Sequence, residues 1–137
     1  MDYLYYLANA SLTLRVSERL QASQHDRLRQ ATHLPVNFMS VIHQINGWVV
    51  RVKMSLPLEP RDDADFQAFM NELGIPCQPN VRLQMALWSL ETGQSPVEVM
   101  RRYQVAVVSH GHPDCQEILA FREQFVRGLG YCPETLA

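Results

Sequence analysis

The residue types best suited to chemistry in this sequence are concentrated in the string SHGHPDC at Ser109–Cys115. His110, His112 and Cys115 lie close together there, and Cys132 follows near the end of the chain. Imidazole nitrogen and cysteine sulfur are ligands that zinc prefers, so the string is a candidate metal site. The alternative interpretation is a polar turn that caps the last helix, and the sequence leaves both interpretations open.

The same string resembles the His-x-His-x-Asp motif of the metallo-β-lactamase superfamily. In that motif, a turn after an apolar strand brings two imidazoles and a carboxylate together. This sequence differs from it in having Cys115 where another histidine is usual and no histidine after His112. The resemblance therefore implies at most a smaller site built from the ligands already named.

No catalytic constellation can be recognised in the rest of the chain. The cysteines lack a glycine-rich catalytic context, and neither a P-loop nor a dinucleotide-binding fingerprint is present. His25, His33 and His43 are interpreted as solvated residues on helices. We therefore expect a protein that is not an enzyme and that needs no cofactor.

Two segments of the chain alternate between apolar and polar residues and carry basic residues on their polar faces. They are Ser11–Ser17 and Trp48–Leu56. A period of two places alternate side chains on opposite faces of a strand, so both segments are predicted to be strands. The polar faces would present Thr13, Arg15, Arg51 and Lys53.

The first of these segments, LTLRVSERL, is followed by a predicted helix, the turn ATHLP and another predicted helix. This order resembles the ribbon-helix-helix family of DNA-binding repressors. In that family two strands pair antiparallel and the resulting ribbon enters the major groove. The resemblance covers residues 11–47, and WVVRVKMSL begins a possible second copy over residues 48–93. It implies that phosphates and base edges are contacted by Thr13, Arg15, Arg51 and Lys53.

The elements that would position these residues form two strand–helix–helix units, 11–47 and 48–93. A C-terminal helical part over 94–130 follows, with a helix, a short strand and a last helix. Asp2–Ala10 fits either a helix or a strand. The predicted helices begin after Ser17 and at or near Pro35, Asp62, Val81, Pro96 and Asp114, and Val105–Val108 is predicted to be a short buried strand. We expect one compact domain over residues 1–137, mainly α with a small β element (α+β).

The composition limits the class of protein and its location. With 137 residues, of which 47% are hydrophobic and 19% charged, the chain has the composition of a globular domain. No apolar run approaches the ~18 residues of a membrane span. The N-terminus lacks the basic region of a signal peptide. The three cysteines are an odd number at irregular spacing, which is typical of reduced thiols. We expect a cytoplasmic protein that does not bind membranes and forms homo-oligomers.

Two functions of different classes are compatible with these observations. The basic strands favour a small regulatory DNA-binding protein that uses a two-stranded ribbon. The net charge of −2 provides no general attraction to nucleic acid, so it favours a protein–protein interaction module such as an adaptor, assembly factor or inhibitor. The second function requires an exposed apolar or aromatic surface and no basic patch.

Overall fold

An antiparallel sheet organises the part of the chain that the computed structural model describes. The model describes residues 2–25 and 34–137, with the backbone alone for Gln24 and His25. The elements in chain order are β1 Asp2–Leu7, α1 Ala10–His25, β2 Val36–Gln44, β3 Gly47–Met54, α2 Pro60–Leu73, β4 Gly74–Pro76, α3 Val81–Glu91, α4 Pro96–Tyr103, β5 Ala106–Gly111 and α5 Cys115–Leu129. A short 3-10 helix, Glu134–Leu136, follows α5.

The strand order in this sheet is β4-β1-β3-β2-β5 within the described residues. β3 pairs with β1 on one side and with β2 on the other, and all the neighbouring strands are antiparallel. β2 and β3 form a hairpin whose tip is Ile45–Asn46, since Gln44 pairs with Gly47. Strands β2 and β3 are buried over most of their length because helices pack on both faces of the sheet.

The larger core lies between one face of the sheet and the helices α1, α2 and α5. Alternate strand residues such as Tyr5, Val50 and Val52 point to this face, which we call the α1 face. Leu20 of α1 and Met70 of α2 pack against them. The 3-10 helix adds the fully buried Leu136 to the same core.

The opposite face of the sheet, which we call the α3 face, packs against α3 and α4. Ile42 and Val49 point to it from the central strands, and Leu83, Leu87 and Val99 cover them from the helices. These residues alternate along the strands with those of the α1 face, as the pleat of a sheet requires. The result is a sheet between two layers of helix.

The prediction that Ser11–Ser17 is a strand is wrong, because this segment lies inside helix α1. Leucine and valine alternate in this segment as they would in a strand. The buried residues of α1 nevertheless follow helical spacing, because small polar residues are buried as well as apolar ones. The buried side chains of α1 follow each other at intervals of three or four along most of its length; they are Ala10, Thr13, Val16, Ser17, Leu20 and Ser23. Asn9 Oδ1 accepts a hydrogen bond from Leu12 N at 3.0 Å and so caps the first turn.

The prediction of a helix beginning at Pro35 is also wrong, because Val36–Gln44 forms strand β2. Its apolar residues were read at helical spacing. However, β2 lies between β3 and β5 and is covered on both faces, so apolar residues occur on both sides of the strand. Apolar pairs three residues apart, Phe38–Met39 and Val41–Ile42, fit a strand buried on both faces as well as a helix. Asn46 lies at the tip of the β2–β3 hairpin, and Gly47 begins β3.

These two errors overturn the predicted fold class. The structure is not mainly α with a small β element, since its described part has five strands in one antiparallel sheet. The repeat of two strand–helix–helix units is absent as well. Among the described residues, 11–25 belong to a helix and 36–44 to a strand, and residues 48–93 contribute a strand, a helix, a short strand and a helix.

The helices predicted at or near Asp62, Val81, Pro96 and Asp114 are confirmed, whereas the helix predicted to begin after Ser17 begins at Ala10. Pro60 begins α2, which has Asp62 and Asp63 in its first turn. Ser95 caps α4 by accepting from Glu98 N at 3.2 Å, and Asn80 and Asp114 cap α3 and α5 in the same way. The strand predicted over Trp48–Leu56 is observed as β3, and the one predicted over Val105–Val108 as β5. Asp2–Ala10, left open between helix and strand, provides strand β1.

Candidate functional site

Arg51 lies in a row of side chains that crosses the sheet on its α3 face. Leu4 of β1 and Ser40 of β2 are its two register neighbours, and Ser40 in turn pairs with His110 of β5. Residues directly opposite each other in adjacent strands share a face and interact. The sheet therefore brings together side chains that lie far apart in the sequence.

Arg51 and Lys53 belong to a charge cluster with two carboxylates, Asp2 and Glu91. Arg51 Nε donates to Asp2 Oδ1 at 3.2 Å, and its Nη2 lies 2.9 Å from both Asp2 Oδ2 and Glu91 Oε2. Lys53 Nζ donates to the other oxygen of Glu91. The hydrogen bonds from Lys53 and Arg51 lower the pKa of Glu91. Two cations thus face two anions, so the cluster presents no excess of positive charge.

Ser40 and His110 form a hydrogen-bonded pair beside this cluster, with Ser40 Oγ 2.6 Å from His110 Nδ1. Burial lowers the pKa of His110, the charge of Arg51 lowers it further, and Glu91 acts in the opposite direction. The distance suits a base and a nucleophile. However, Ser40 is only 1% exposed, so its hydroxyl is closed to a substrate. The pair is therefore best understood as part of the packing of the sheet.

Thr13 and Arg15 are remote from the other residues predicted to contact DNA. Thr13 is 0% exposed, and its hydroxyl donates to the carbonyl of Asn9 at 3.0 Å within helix α1. Arg15 is exposed on the same helix, which covers the α1 face, whereas the charge cluster lies on the α3 face. β3 pairs with β1 rather than with residues 11–17, so the predicted ribbon is not formed. DNA binding stays a prediction without that structural basis.

The candidate zinc ligands are not assembled into a site. Among residues 2–25 and 34–137, no group of three or more histidine, cysteine, aspartate or glutamate side chains is placed to hold a metal ion. His110 bonds to Ser40, and Cys115 and Cys132 are free thiols, as is the buried Cys77. Ser109–Gly111 continues β5, and Asp114 caps α5, so the string follows the alternative interpretation of a turn before the last helix.

Exposed apolar side chains gather at the end of the sheet where the β2–β3 hairpin turns. We call this the hairpin-end surface, and it consists of Ile45, Ile75, Val81 and Phe125. Ile45 is 98% exposed at the hairpin tip, and the others are 65%, 75% and 40% exposed, respectively. Ile45 and Phe125 line one hollow, and Ile75 lines a second that shares Asn46 with the first. Asn80, which precedes Val81, also lines the first hollow.

The first of these hollows, the hairpin-end hollow, has a volume of about 490 Å³. Its apolar wall includes Leu83, Val105 and Phe125. Four residues with carboxamide side chains also line the hollow: Gln44, Asn46, Asn80 and Gln104. Arg82 is the charged residue of the lining, which contains no carboxylate among its described members. Gln104 adopts a left-handed conformation, with φ 55° and ψ 48°, because it ends helix α4.

His43 lies at the inner side of the hairpin-end hollow within a group of aromatic rings. Its ring centroid is 5.0 Å from Trp48, 5.3 Å from Phe121 and 5.5 Å from Phe125. Burial lowers its pKa, so the imidazole is neutral at pH 7. Its Nε2 is buried without a hydrogen-bond partner among the described residues. The sequence interpretation of His43 as a solvated helical residue is therefore wrong.

Comparisons with known proteins do not assign the chain to a family. No protein-family model matches it, and neither a curated protein nor a solved structure does. Within the described residues, no helix combines the length and the apolar character needed to span a membrane. The function must therefore be argued from the surface of this protein itself.

Sequence reasoning misses the hairpin-end surface because the helix predicted from Pro35 would include Ile45, whereas Ile45 lies at a hairpin tip. A signal was present in Asn46–Gly47, since such a dipeptide between two apolar runs is typical of a hairpin turn. Recognising that turn would have predicted that Ile45 is exposed.

Proposed function

We propose that this chain is a protein–protein interaction module that binds a different protein through its hairpin-end surface. The observation that carries the proposal is the exposure of Ile45, which is 98% exposed at a hairpin tip between two hollows. Scattered surface leucines and isoleucines are normal, but a contiguous exposed apolar surface with a polar rim is typical of an interface. Ile75 and Phe125 line the two hollows at this tip, and Val81 follows Asn80 of the first hollow.

Helix α3 extends the apolar surface away from the hairpin. Met85 and Trp88 are exposed, and they follow Val81 at intervals of four and three residues, which places all three on one face of the helix. The outer face of a helix that packs on a sheet is ordinarily polar. Tryptophan is enriched among the residues that dominate binding energy. The outer face of α3 thus provides a further contact area for the same partner.

The charge distribution is also consistent with a protein partner. Of the three basic residues on which the DNA-binding prediction depended, Arg51 and Lys53 are paired with Asp2 and Glu91, and Arg15 lies apart from them on helix α1. An interface of this kind needs no net positive field, and the chain has a net charge of −2. The free thiols of the three cysteines support a reducing compartment, so we extend the proposal to a cytoplasmic location.

A charge placed at Ile45 is expected to abolish partner binding without affecting folding. Burying an isoleucine side chain contributes roughly 1.5–3 kcal/mol, so Ile45→Asp should weaken the complex at least tenfold. The measurement is quantitative mass spectrometry of proteins retained from an extract of the source cells by wild type and by the variant. The identified partner is then purified, and its affinity for both forms is determined by calorimetry.

Leu56→Asp provides the matched control. Leu56 is also an exposed apolar residue, but it lies beyond the other end of β3, which at eight residues is about 26 Å long. We expect this variant to keep the partner. Loss of the partner from both variants, or from neither, would contradict the proposal. If Ile45→Asp instead converts a dimer of this chain to a monomer in sedimentation, the surface serves self-association, and the proposal of a different partner is wrong.

A further inference from the structure

The hairpin-end hollow has the chemistry of a site for an extended peptide. Its four carboxamide side chains each offer both a donor and an acceptor, the pair of groups that a peptide bond requires. One of them, Asn80, already accepts from Leu83 N and keeps its donors. The volume of about 490 Å³ is within the range of ligand-binding clefts, ~300–1,000 Å³. The apolar wall of Leu83, Val105 and Phe125 can accept a side chain of the peptide.

The charge of the hollow determines which peptide fits. Arg82 is exposed at its edge and has no ion-pair partner among the described residues, whereas Arg51, Arg101 and Arg127 each pair with a carboxylate. The described lining contains no acidic residue that could neutralise Arg82. An unpaired guanidinium beside donors and acceptors favours a carboxylate, with which it forms charge-assisted hydrogen bonds.

We infer that the hairpin-end hollow binds an acidic, apolar segment of the partner protein. An apolar side chain of that segment would lie against Phe125 and Leu83. Its backbone would bond to the carboxamides of the hollow, and a neighbouring aspartate or glutamate would pair with Arg82. This inference rests on the proposed function and adds the chemistry of the partner to it.

The test uses three fluorescein-labelled peptides of eight residues in which leucine alternates with aspartate, asparagine or lysine. Anisotropy titrations with the full chain at low ionic strength should give at least tenfold tighter binding for the leucine–aspartate peptide than for the other two. A serine–aspartate peptide of the same charge should also bind at least tenfold more weakly, because it lacks the apolar side chain. If the serine–aspartate peptide binds as tightly as the leucine–aspartate peptide, or if inorganic phosphate displaces both peptides equally well, the hollow is a simple anion site and the inference is wrong.

Arg82→Glu locates the binding. This variant should bind the leucine–aspartate peptide at least tenfold more weakly than wild type does. Arg61→Glu is the matched control, because Arg61 is an exposed arginine in the first turn of α2 and changes the net charge equally. The control should stay within twofold of wild type. Side-chain amide signals of Asn46 and Gln104 should shift on peptide addition in ¹H–¹⁵N spectra, and unchanged signals would place the peptide elsewhere and overturn the inference.

Failure of this inference differs from failure of the proposed function. Suppose that the leucine–aspartate peptide does not bind, but the Ile45→Asp variant loses the partner and the Leu56→Asp variant retains it. The hairpin-end surface is then still an interface, and only the inference of an acidic segment in the hollow is wrong. If Ile45→Asp also retains the partner, the proposed function itself is wrong.

Discussion

At the scale of single residues, the charge cluster shows that a strand with basic residues need not present a positively charged surface. Arg51 and Lys53 lie on one face of β3, as their spacing predicts. Their partners come from the start of β1 and the end of α3, and pairing leaves the Arg51 side chain 13% exposed. The attraction within a largely buried pair such as Arg51–Glu91 is offset by the cost of removing both charges from water. The importance of these pairs is that they remove two cations from the surface available to a ligand.

His110 can report on this cluster. We expect Arg51→Met to raise the pKa of His110, because removing the positive charge takes away one of the two effects that lower it. Glu91→Gln should lower the same pKa further, since the Glu91 carboxylate raises it. The measurement is an NMR titration of the imidazole proton on Cε1. Arg101→Met, which breaks an exposed pair with Glu98 on α4, is the control and should leave the value unchanged. A shift in the same direction for both cluster variants would contradict the geometry.

The direction of the His110 shift also determines its effect on stability. Because its pKa in the folded state is below the ordinary value of 6.5, the unfolded chain binds a proton more readily. The free energy of unfolding therefore falls as the pH drops below 6.5 towards the lowered pKa. Above pH 6.5 the imidazole is neutral in both states, and this effect disappears.

At the scale of elements, α1 shows that alternation alone does not define a strand. Its buried set includes the small polar residues Thr13, Ser17 and Ser23, which a pattern of apolar residues overlooks. Thr13 satisfies its hydroxyl within the helix by donating to Asn9 O. Hydrogen bonding of this kind lets a polar side chain be buried at low cost.

The two predicted DNA contacts on α1 should therefore respond to mutation in opposite ways. Thr13→Lys buries an unpaired charge under the helix, and we expect it to lower the free energy of unfolding by about 3 kcal/mol or more. Arg15→Ala changes an exposed position and should stay within about 0.5 kcal/mol of wild type. Urea denaturation followed by circular dichroism measures both values. A tolerated lysine at position 13 would show that this face of α1 is not packed against the sheet.

At the scale of the whole molecule, the C-terminal segment joins elements that are distant in sequence. The indole Nε1 of Trp48 donates to the carbonyl of Thr135 at 2.6 Å, and Arg122 Nε donates to the carbonyl of Leu136 at 2.5 Å. Ser11 Oγ donates to the carbonyl of Ala137. β3, α5 and α1 are thus connected through residues 135–137, and the Leu136 side chain fills the core between them.

Leu136→Ala should destabilise the whole protein in spite of its position near the end of the chain. Removing a buried leucine side chain costs about 2–5 kcal/mol, which is a large part of the stability of a small domain. Leu119→Ala, on the more exposed side of α5, is the control and should cost less than about 1 kcal/mol. Thermal unfolding followed by the fluorescence of the buried Trp48 is the measurement. Equal melting temperatures for the two variants would show that residues 134–136 are not part of the core.

The candidate site was only partly predictable from the sequence. The spacing of Arg51 and Lys53 placed both on the same face of β3, but their carboxylate partners at residues 2 and 91 follow from sheet order and helix packing. Ile45 follows the apolar residues of β2, and the adjacent Asn46–Gly47 is the local signal that indicates a turn there. Its exposure depends on β2 turning into β3 at that residue rather than continuing as a helix.

The sequence by itself determined where helices α2 to α5 begin, although Ser17 and Pro35, which are local signals of the same kind, start no helix. Pro60, Asn80, Ser95 and Asp114 start helices because proline and short polar side chains satisfy or remove the free N–H groups of a first turn. Only the tertiary structure decided whether an apolar segment became a strand or a helix. The alternating Leu12–Val16 lies in a helix that packs on the sheet, and Val36–Gln44, with apolar pairs at helical spacing, is a strand covered on both sides. In both segments burial against distant residues outweighs local propensity, because the free energy of removing apolar side chains from water exceeds the small differences in backbone preference.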